Sequence, residues 1–196
     1  MKKVIGTLSL GLLKIPQGIY YSKNHTWAFL EKSGTAKIGL DDFIVHITGE
    51  LSFDKFKNEG DSIKKGDLLA QIDKNGKKLQ IYSPISGTII TANSELNKTP
   101  EIVNHDPYGK GWLYKIKPNN WKTETNEYFL AEEATDWSAK ELLRFKDFIA
   151  ESTTNFSTQP GTIILQEGGE LSENVLEEMP NEIWQAFQKE FFSIKP

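Results

Sequence analysis

Cysteine is absent from this chain of 196 residues. Its absence excludes disulfide bonds, thiolate metal sites, iron–sulfur ligation and a cysteine nucleophile, and it fits a reducing compartment. Long apolar runs are absent as well, since none approaches the roughly 20 residues that a membrane-spanning helix requires. Lys2 and Lys3 are followed by an apolar stretch from Val4 to Leu13, but no small-residue cleavage site follows, so we expect an ordinary N-terminal segment. We therefore predict a cytoplasmic protein with no membrane partner.

A concentration of basic charge is also lacking. The formal net charge is −4, and the lysines are spread among acidic residues instead of forming a patch. This balance argues against nucleic acid as a partner, because nucleic-acid binding relies on clustered lysine and arginine. Hydrophobic residues make up 38% of the chain and aromatic residues 11%, which is enough for a packed core. The length allows one ordinary domain with a smaller appended part.

Patterns that carry catalysis or metal binding are missing too. The three histidines (His25, His46 and His105) occur without HxH or HExxH spacing and without cysteines that would complete a zinc site. The Gly168-Gly169 pair has glutamates on both sides, which disfavour phosphate binding. No serine has an organised base in the pattern of a nucleophile. We predict no metal site and no catalytic residue, and hence a carrier or binding protein instead of an enzyme.

Short strands with glycine-containing turns between them are predicted from Tyr20 to Ile116. Glycines recur about every ten residues there, which is typical of a small β-sandwich or barrel. The clearest apolar runs are Ala36–Ile38, Leu68–Ile72, Leu79–Tyr82 and Gly87–Thr91. Between them, Asp41–Ile47 is expected to form one or two helical turns, and Thr48–Phe53 to return to strand.

Beyond residue 120 the pattern changes from strands to helices. A polar, loop-like segment (Pro118–Tyr128) comes first, and the capping box Ser138–Glu141 then predicts the start of an amphipathic helix. A brief strand is predicted at Gly161–Gln166, a short helix near Ser172, and a final helix near Pro180, whose fixed φ suits a first turn. We call residues 121–196 the C-terminal extension.

Aromatic residues are frequent in the C-terminal extension. Six of them are Phe145, Phe148, Trp184, Phe187, Phe191 and Phe192. We expect them to pack against the neighbouring sheet or within a small subdomain of their own, because burying one large apolar side chain contributes about 1.5–3 kcal/mol. The alternative is that they form a docking groove or an oligomer interface.

Several motifs between residues 15 and 120 occur in the order typical of one known family. They are Pro16, Tyr21 and His25-Thr26-Trp27 at the start; Gly34–Asp41; the paired Gly60 and Gly66; Ser83–Gly87; Asn93, Leu96, Pro100 and Asn104; and Asp106–Leu113 at the end. Together they resemble the glycine cleavage system H protein family, a family of lipoyl-domain-like carriers. The resemblance implies a mainly β domain at residues 15–120, a flattened barrel or sandwich (a barrel-sandwich hybrid) of two antiparallel sheets. The α-rich C-terminal extension, residues 121–196, would then pack on it.

In that family a lysine at the tip of one hairpin bears lipoate. The resemblance implies that the lipoyl-lysine arm shuttles an aminomethyl group and electrons between a decarboxylase, an aminomethyltransferase and dihydrolipoyl dehydrogenase. It implies a protein that carries intermediates and is not itself a catalyst. Glycine-cleavage or lipoate-handling enzymes are therefore the expected protein partners.

The corresponding hairpin of this chain, Leu68–Pro84, departs from the family pattern at its tip. The family lysine lies eight residues before the proline, and in this chain that position is Gly76. The Asn75-Gly76 pair favours a two-residue type I′ turn, in which both central residues need positive φ. Lys74 and Lys77 flank the turn, and strand alternation places both on the same face. We expect both lysines to be less exposed than a tip residue would be.

Two main hypotheses follow from this hairpin. In the first, the chain is a non-catalytic scaffold or partner-binding module without lipoate, and Lys74, Lys77 and Lys78 only keep the hairpin soluble. In the second, it is a lipoyl carrier whose attachment point has shifted to Lys74 or Lys77; the Asp73-Lys74 pair resembles the Asp-Lys dipeptide of other lipoyl domains. A third, an enzyme with a site between barrel and extension, has less support.

Overall fold

The computed structural model describes residues 7–9, 13–55, 57–155 and 173–192. All of the described strands lie within the first 120 residues, and the described residues beyond them are mainly helical. Among the helices in these ranges, none is both long and apolar enough to cross a membrane.

Two antiparallel sheets, neither closed into a complete barrel, form most of the N-terminal part. The strands are β1 (Thr7–Ser9), β2 (Lys14–Pro16), β3 (Tyr20–Tyr21), β4 (Thr26–Leu30), β5 (Ala36–Leu40), β6 (Ser52–Lys55), β7 (Ser62–Ile63), β8 (Leu68–Lys74), β9 (Lys77–Tyr82), β10 (Gly87–Ala92) and β11 (Tyr114–Pro118). One sheet has the order β3-β4-β5-β11-β10-β7 and the other β6-β8-β9, while β1 and β2 pair separately. The predicted flattened barrel or sandwich with a helical extension is confirmed.

Five α-helices and two short 3₁₀ helices are described. They are α1 (Asp42–Thr48), α2 (Ile102–His105), α3 (Trp121–Glu124), α4 (Ala131–Asn155) and α5 (Asn181–Phe191), with 3₁₀ turns at Ser94–Asn97 and Val175–Glu178. α1 confirms the helix predicted near Asp41, whose carboxylate caps it by accepting the Ile44 N–H at 3.1 Å. The following strand begins at Ser52 and not at Thr48, because α1 continues through Thr48.

Pairing among β4, β5 and β11 builds the centre of the core. Ala28 pairs with Ile38, and Ile38 pairs with Tyr114, and all three side chains are buried. The buried Trp27 ring lies against the backbone of Gly39, where an added Cβ would be 2.7 Å from the ring. Gly39 is therefore required for the close approach of the indole to the neighbouring strand.

α4 starts earlier than predicted. It begins at Ala131, so Ser138 lies inside the helix and the capping-box interpretation is wrong. The physical reason is burial: Ala134 and Trp137 pack in a cluster with Tyr21, which extends the helix toward its N-terminus. The predicted loop after residue 118 also contains one helical turn, α3.

The end of the extension agrees with the sequence where it is described. α5 follows Pro180 directly, and the short helix expected near Ser172 is the 3₁₀ turn at Val175–Glu178. The strand predicted at Gly161–Gln166 lies outside the described residues. The six aromatic side chains named in the sequence analysis are all buried, in the same hydrophobic cluster as residues of the barrel strands. Their predicted packing on the sheet is confirmed.

Candidate functional site

The tip of the β8–β9 hairpin is a tight two-residue turn. Asn75 has φ 53° and Gly76 has φ 81°, as a type I′ turn requires. The Gly76 N–H donates to Asp73 Oδ1 at 3.1 Å, which holds the turn further. Lys74 and Lys77 are paired across the strands directly below it. The turn prediction is confirmed, and the tip itself carries no amine.

The amine of Lys74 is bound on two sides. Its Nζ donates to the Glu50 carbonyl oxygen at 2.9 Å and forms an ion pair with Glu177 Oε1 at 3.0 Å. The side chain is only 16% exposed. Lys74 therefore lies along the protein surface instead of projecting into solvent.

The amine of Lys77 is bound to the same residue of the extension. Its Nζ donates to the Glu177 carbonyl oxygen at 2.6 Å and lies 5.8 Å from the centre of the Trp184 ring. The neighbouring Lys78 points to the opposite face of the strand and is exposed. The two lysines that flank the turn thus share one face, as the strand alternation predicts, and they also share one partner.

Contacts with the end of α1 fix the position of Glu177. Gly49 has φ 71°, and an added Cβ there would lie 2.5 Å from Glu177 Oε2 and 3.0 Å from Asn174. The Asn174 N–H donates to the His46 carbonyl oxygen at 2.9 Å, and Asn104 Nδ2 donates to the Gly49 carbonyl oxygen at 2.6 Å. The 3₁₀ turn that holds the lysines is therefore anchored to the barrel by its own backbone.

α5 covers the outer edge of β9. The Gln80 N–H donates to Gln188 Oε1 at 2.5 Å, and Gln188 Nε2 donates to the Gln80 carbonyl oxygen at 3.4 Å. One side-chain amide thus pairs with both backbone groups of an edge residue, as a neighbouring strand would. Covering the edge strand in this way prevents β9 from pairing with a strand of another chain.

A polar cavity of about 320 Å³ opens beside the hairpin tip. It is lined by Glu50, Leu51, Ser52, Asp73, Lys74, Asn75, Pro100, Glu101 and Glu177. Four of these residues are acidic, and the single lysine is already paired with one of them. Among the described residues, no group of three or more histidine, aspartate or glutamate side chains could hold a metal ion.

A second polar centre lies at His25, which is completely buried between the barrel and α4. Its Nδ1 lies 2.9 Å from Asp41 Oδ2, and its Nε2 lies 3.5 Å from Glu141 Oε2. The imidazole is stacked between the rings of Phe43 at 4.5 Å and Trp137 at 5.2 Å. His25 therefore joins two carboxylates on different elements within an aromatic enclosure.

These contacts shift the acid–base equilibria of the pair. Burial disfavours the charged imidazolium, but the charges and hydrogen bonds of Asp41 and Glu141 outweigh it and raise the pKa of His25 to about 9. Burial also acts to raise the pKa of Glu141, but contacts with His25 and Arg144 overcome it, so this pKa is lowered. At neutral pH the arrangement is thus an imidazolium between two carboxylates.

Arg144, the only arginine of the chain, extends this network to α5. Its Nη1 lies 3.1 Å from Glu141 Oε2, and its Nη2 donates to the Glu190 carbonyl oxygen at 2.8 Å. The guanidinium group also lies 4.2 Å from the centre of the Phe191 ring. The ion network therefore links the barrel, α4 and α5.

Sequence reasoning located only part of this arrangement. It placed His25 in a motif of the family, but it did not identify Glu141 or Glu177 as the partners that the extension supplies. The spacing of Glu141 and Arg144 at i and i+3 was the one available signal, but the sequence analysis assigned Glu141 to a capping box with Ser138.

Comparisons with known proteins cover the barrel and the start of α4. The family model described as glycine cleavage H-protein matches residues 19–141. A probable glycine cleavage system H protein of Pyrococcus abyssi is 35% identical over 130 residues, which cover 66% of this chain and 96% of that protein. A glycine cleavage system H protein of Thermus thermophilus is 34% identical over 108 residues, covering 55% of this chain and 84% of that protein.

A solved structure shows the same fold. The crystal structure of a glycine cleavage system H protein from Mycobacterium marinum superposes with a TM-score of 0.56 at 25% sequence identity. The superposition covers 64% of this chain and 99% of that one. Glu177 and all of α5, which bind the hairpin lysines and the β9 edge, lie beyond the residues that the family model matches.

Proposed function

Because the chain belongs to the glycine cleavage H-protein family, we propose that it is a non-catalytic partner-binding module of that family that works without lipoate. Its barrel presents a preformed surface to protein partners, of the glycine-cleavage or lipoate-handling type. We propose the same division as the sequence suggests, a barrel domain at residues 15–120 and an extension at residues 121–196. The extension holds Lys74 and Lys77 of the β8–β9 hairpin against the protein surface through Glu177.

The observation that carries this proposal is the capture of both hairpin amines by Glu177. Attachment of a lipoyl group turns an ammonium ion into an amide, which has no charge and one N–H. At Lys74 this change removes the ion pair with Glu177, and at Lys77 the amine must first leave its backbone acceptor in order to react. These contacts support a hairpin that does not serve as a lipoyl attachment site.

The mass of the intact protein tests the proposal directly. The protein is purified from its native host, and a second preparation is co-expressed with a lipoate-protein ligase beside a glycine cleavage H protein as positive control. We expect the control to gain the lipoyl mass and this chain to remain unmodified. A lipoyl adduct on the native protein, localised to Lys74 or Lys77 by peptide mapping, would overturn the proposal.

A second candidate function is that of a carrier with a shifted attachment point. It is favoured by the Asp73-Lys74 pair and by the cavity beside Lys74, which leaves open space next to that amine. In this case lipoate would be the cofactor and Lys74 or Lys77 the modified residue. The same mass measurement separates the two functions, because only the carrier gains the adduct.

A further inference from the structure

A groove lies at the start of α4, away from the lysine hairpin. Its volume is about 480 Å³. The residues that line it are Asn126, Glu127, Tyr128, Phe129, Glu133, Asp136, Trp137 and Lys140. One wall is the loop that leads into α4, and the other is a single face of the helix, since residues 133, 136, 137 and 140 follow its three- and four-residue spacing. We call it the α4 groove.

The charge of the α4 groove is predominantly negative. Glu127, Glu133 and Asp136 are exposed, and among the described residues none of these carboxylates forms an ion pair. Lys140 is the single cation in the lining. Carboxylates that lack internal partners and face one groove attract a cationic ligand.

Aromatic rings complete the lining. Phe129 is half-buried and stacks on Trp137, with ring centres 5.0 Å apart and planes inclined by 13°. The adjacent Tyr128 ring already receives a cation of the protein itself, since Lys65 Nζ lies 4.6 Å from its centre. Aromatic faces attract cations through the negative potential above the ring, and arginine does so more often than lysine.

From this combination we infer that the α4 groove binds an arginine side chain of a partner protein. A planar guanidinium group stacks on an aromatic ring and donates hydrogen bonds sideways to carboxylates, which a compact ammonium ion does less well. The groove offers both elements together: the half-buried Phe129 ring, which stacks on the buried Trp137, and the exposed Glu133 and Asp136, which lie one helical turn apart on α4. This inference rests on the proposed partner-binding role, and it names the chemistry of the partner.

A titration with model compounds tests the assignment. N-acetyl-argininamide is added to the full chain while NMR follows the ring signals of Phe129 and Trp137, and the neutral isostere N-acetyl-citrullinamide serves as control. We expect saturable shifts with the arginine compound and none with the citrulline compound. The double variant Glu133→Gln/Asp136→Asn should weaken binding by about fivefold or more, since each exposed ion pair contributes modestly.

Matched variants separate the groove from general charge. Glu151→Gln/Glu182→Gln changes the net charge equally at exposed sites elsewhere and should leave binding unchanged. Phe129→Leu keeps an apolar side chain but removes the ring, and it should weaken binding while circular dichroism stays the same. N-acetyl-lysinamide serves as a second control. If it or the citrulline compound binds as well as the arginine compound, or if the Glu133→Gln/Asp136→Asn variant binds unchanged, the inference is overturned. A lipoyl adduct at Lys74 would overturn the proposed function but would not change the result of this titration, so the two failures can be distinguished.

Discussion

The C-terminal extension contacts the barrel at two places that differ chiefly in burial. At one place Glu177 meets Lys74 and Lys77, and its own side chain is 33% exposed. At the other place Glu141 meets His25, which has no exposed surface. Exposed ion pairs contribute at most about 1 kcal/mol, whereas breaking a buried pair costs about 3–5 kcal/mol. The buried contact between Glu141 and His25 should therefore contribute more to the stability of the packing of the extension on the barrel. The contact at Glu177 should control access to Lys74 and Lys77.

Removal of the buried carboxylate should have the largest effect. In Glu141→Ala, His25 loses one of its two anionic partners while remaining buried, and Arg144 loses its contact on α4. We expect the free energy of unfolding to fall by about 3 kcal/mol. Urea denaturation followed by tryptophan fluorescence measures this change.

Glu190→Ala is the matched control for that variant. Glu190 also forms an ion pair with Arg144, at 3.5 Å, but its side chain is 45% exposed. Its replacement should cost about 0.5 kcal/mol. If the two variants lose equal stability, burial is not what distinguishes the two contacts of the extension.

The pH dependence of stability tests the same buried pair without mutation. Because the pKa of His25 is raised from 6.5 to about 9 in the folded state, its contribution is complete below pH 6.5 and is lost as the pH rises through 9. The lowered pKa of Glu141 acts in the opposite direction, so its contribution is lost as the pH falls below its unfolded value of 4.5. The free energy of unfolding should therefore be greatest between about pH 4.5 and pH 6.5. It should fall by about 3 kcal/mol as the pH is raised toward 10.

A His25→Asn variant provides the control for the alkaline limb. Asparagine tolerates the positive φ of 55° at this position but does not titrate. Its unfolding free energy should be lower throughout and nearly independent of pH between 6.5 and 9. A wild-type protein with no alkaline loss of stability would contradict the assignment of a charged His25.

The two contacts also mark how far the sequence alone leads. The Asn75-Gly76 turn and the start of α5 after Pro180 were predicted because both depend on local φ preferences. The partnership of Lys77 with Glu177 spans 100 residues and depends on the path of the whole extension, which no local pattern encodes. The start of α4 was placed wrongly because burial of Trp137 overrides a capping signal that is favourable only in isolation. The order of the motifs was sufficient to predict the barrel fold. The contacts of the candidate site could not be predicted, because they depend on tertiary packing.

Replacing the glycine of the hairpin turn should have an intermediate effect on the free energy of unfolding, because other residues adopt a positive φ less readily. In Gly76→Ala, an added Cβ meets no atom within 4 Å, so the cost comes from the φ of 81° alone. We expect a loss of about 1 kcal/mol in the free energy of unfolding, measured by urea denaturation. Asn75→Gly, which keeps a residue that tolerates positive φ, should lose less. A Gly76→Ala variant with the same free energy of unfolding as the wild-type protein would indicate that the turn has another conformation.

Removal of the partly exposed Glu177 carboxylate should have the smallest effect on stability and a specific effect on the reactivity of Lys74. In Glu177→Ala, Lys74 loses its ion pair, while Lys77 keeps its acceptor because that acceptor is a backbone oxygen. We expect a stability loss of about 0.5 kcal/mol that shrinks with added salt. Acetylation at limiting reagent, quantified by mass spectrometry against the exposed Lys78, should become faster at Lys74 and change little at Lys77. Glu178→Ala, one residue further along and exposed, should change neither rate. If Lys74 already reacts as fast as Lys78 in the wild-type protein, the extension does not restrain the hairpin amines, and a shifted lipoyl attachment point becomes the better description.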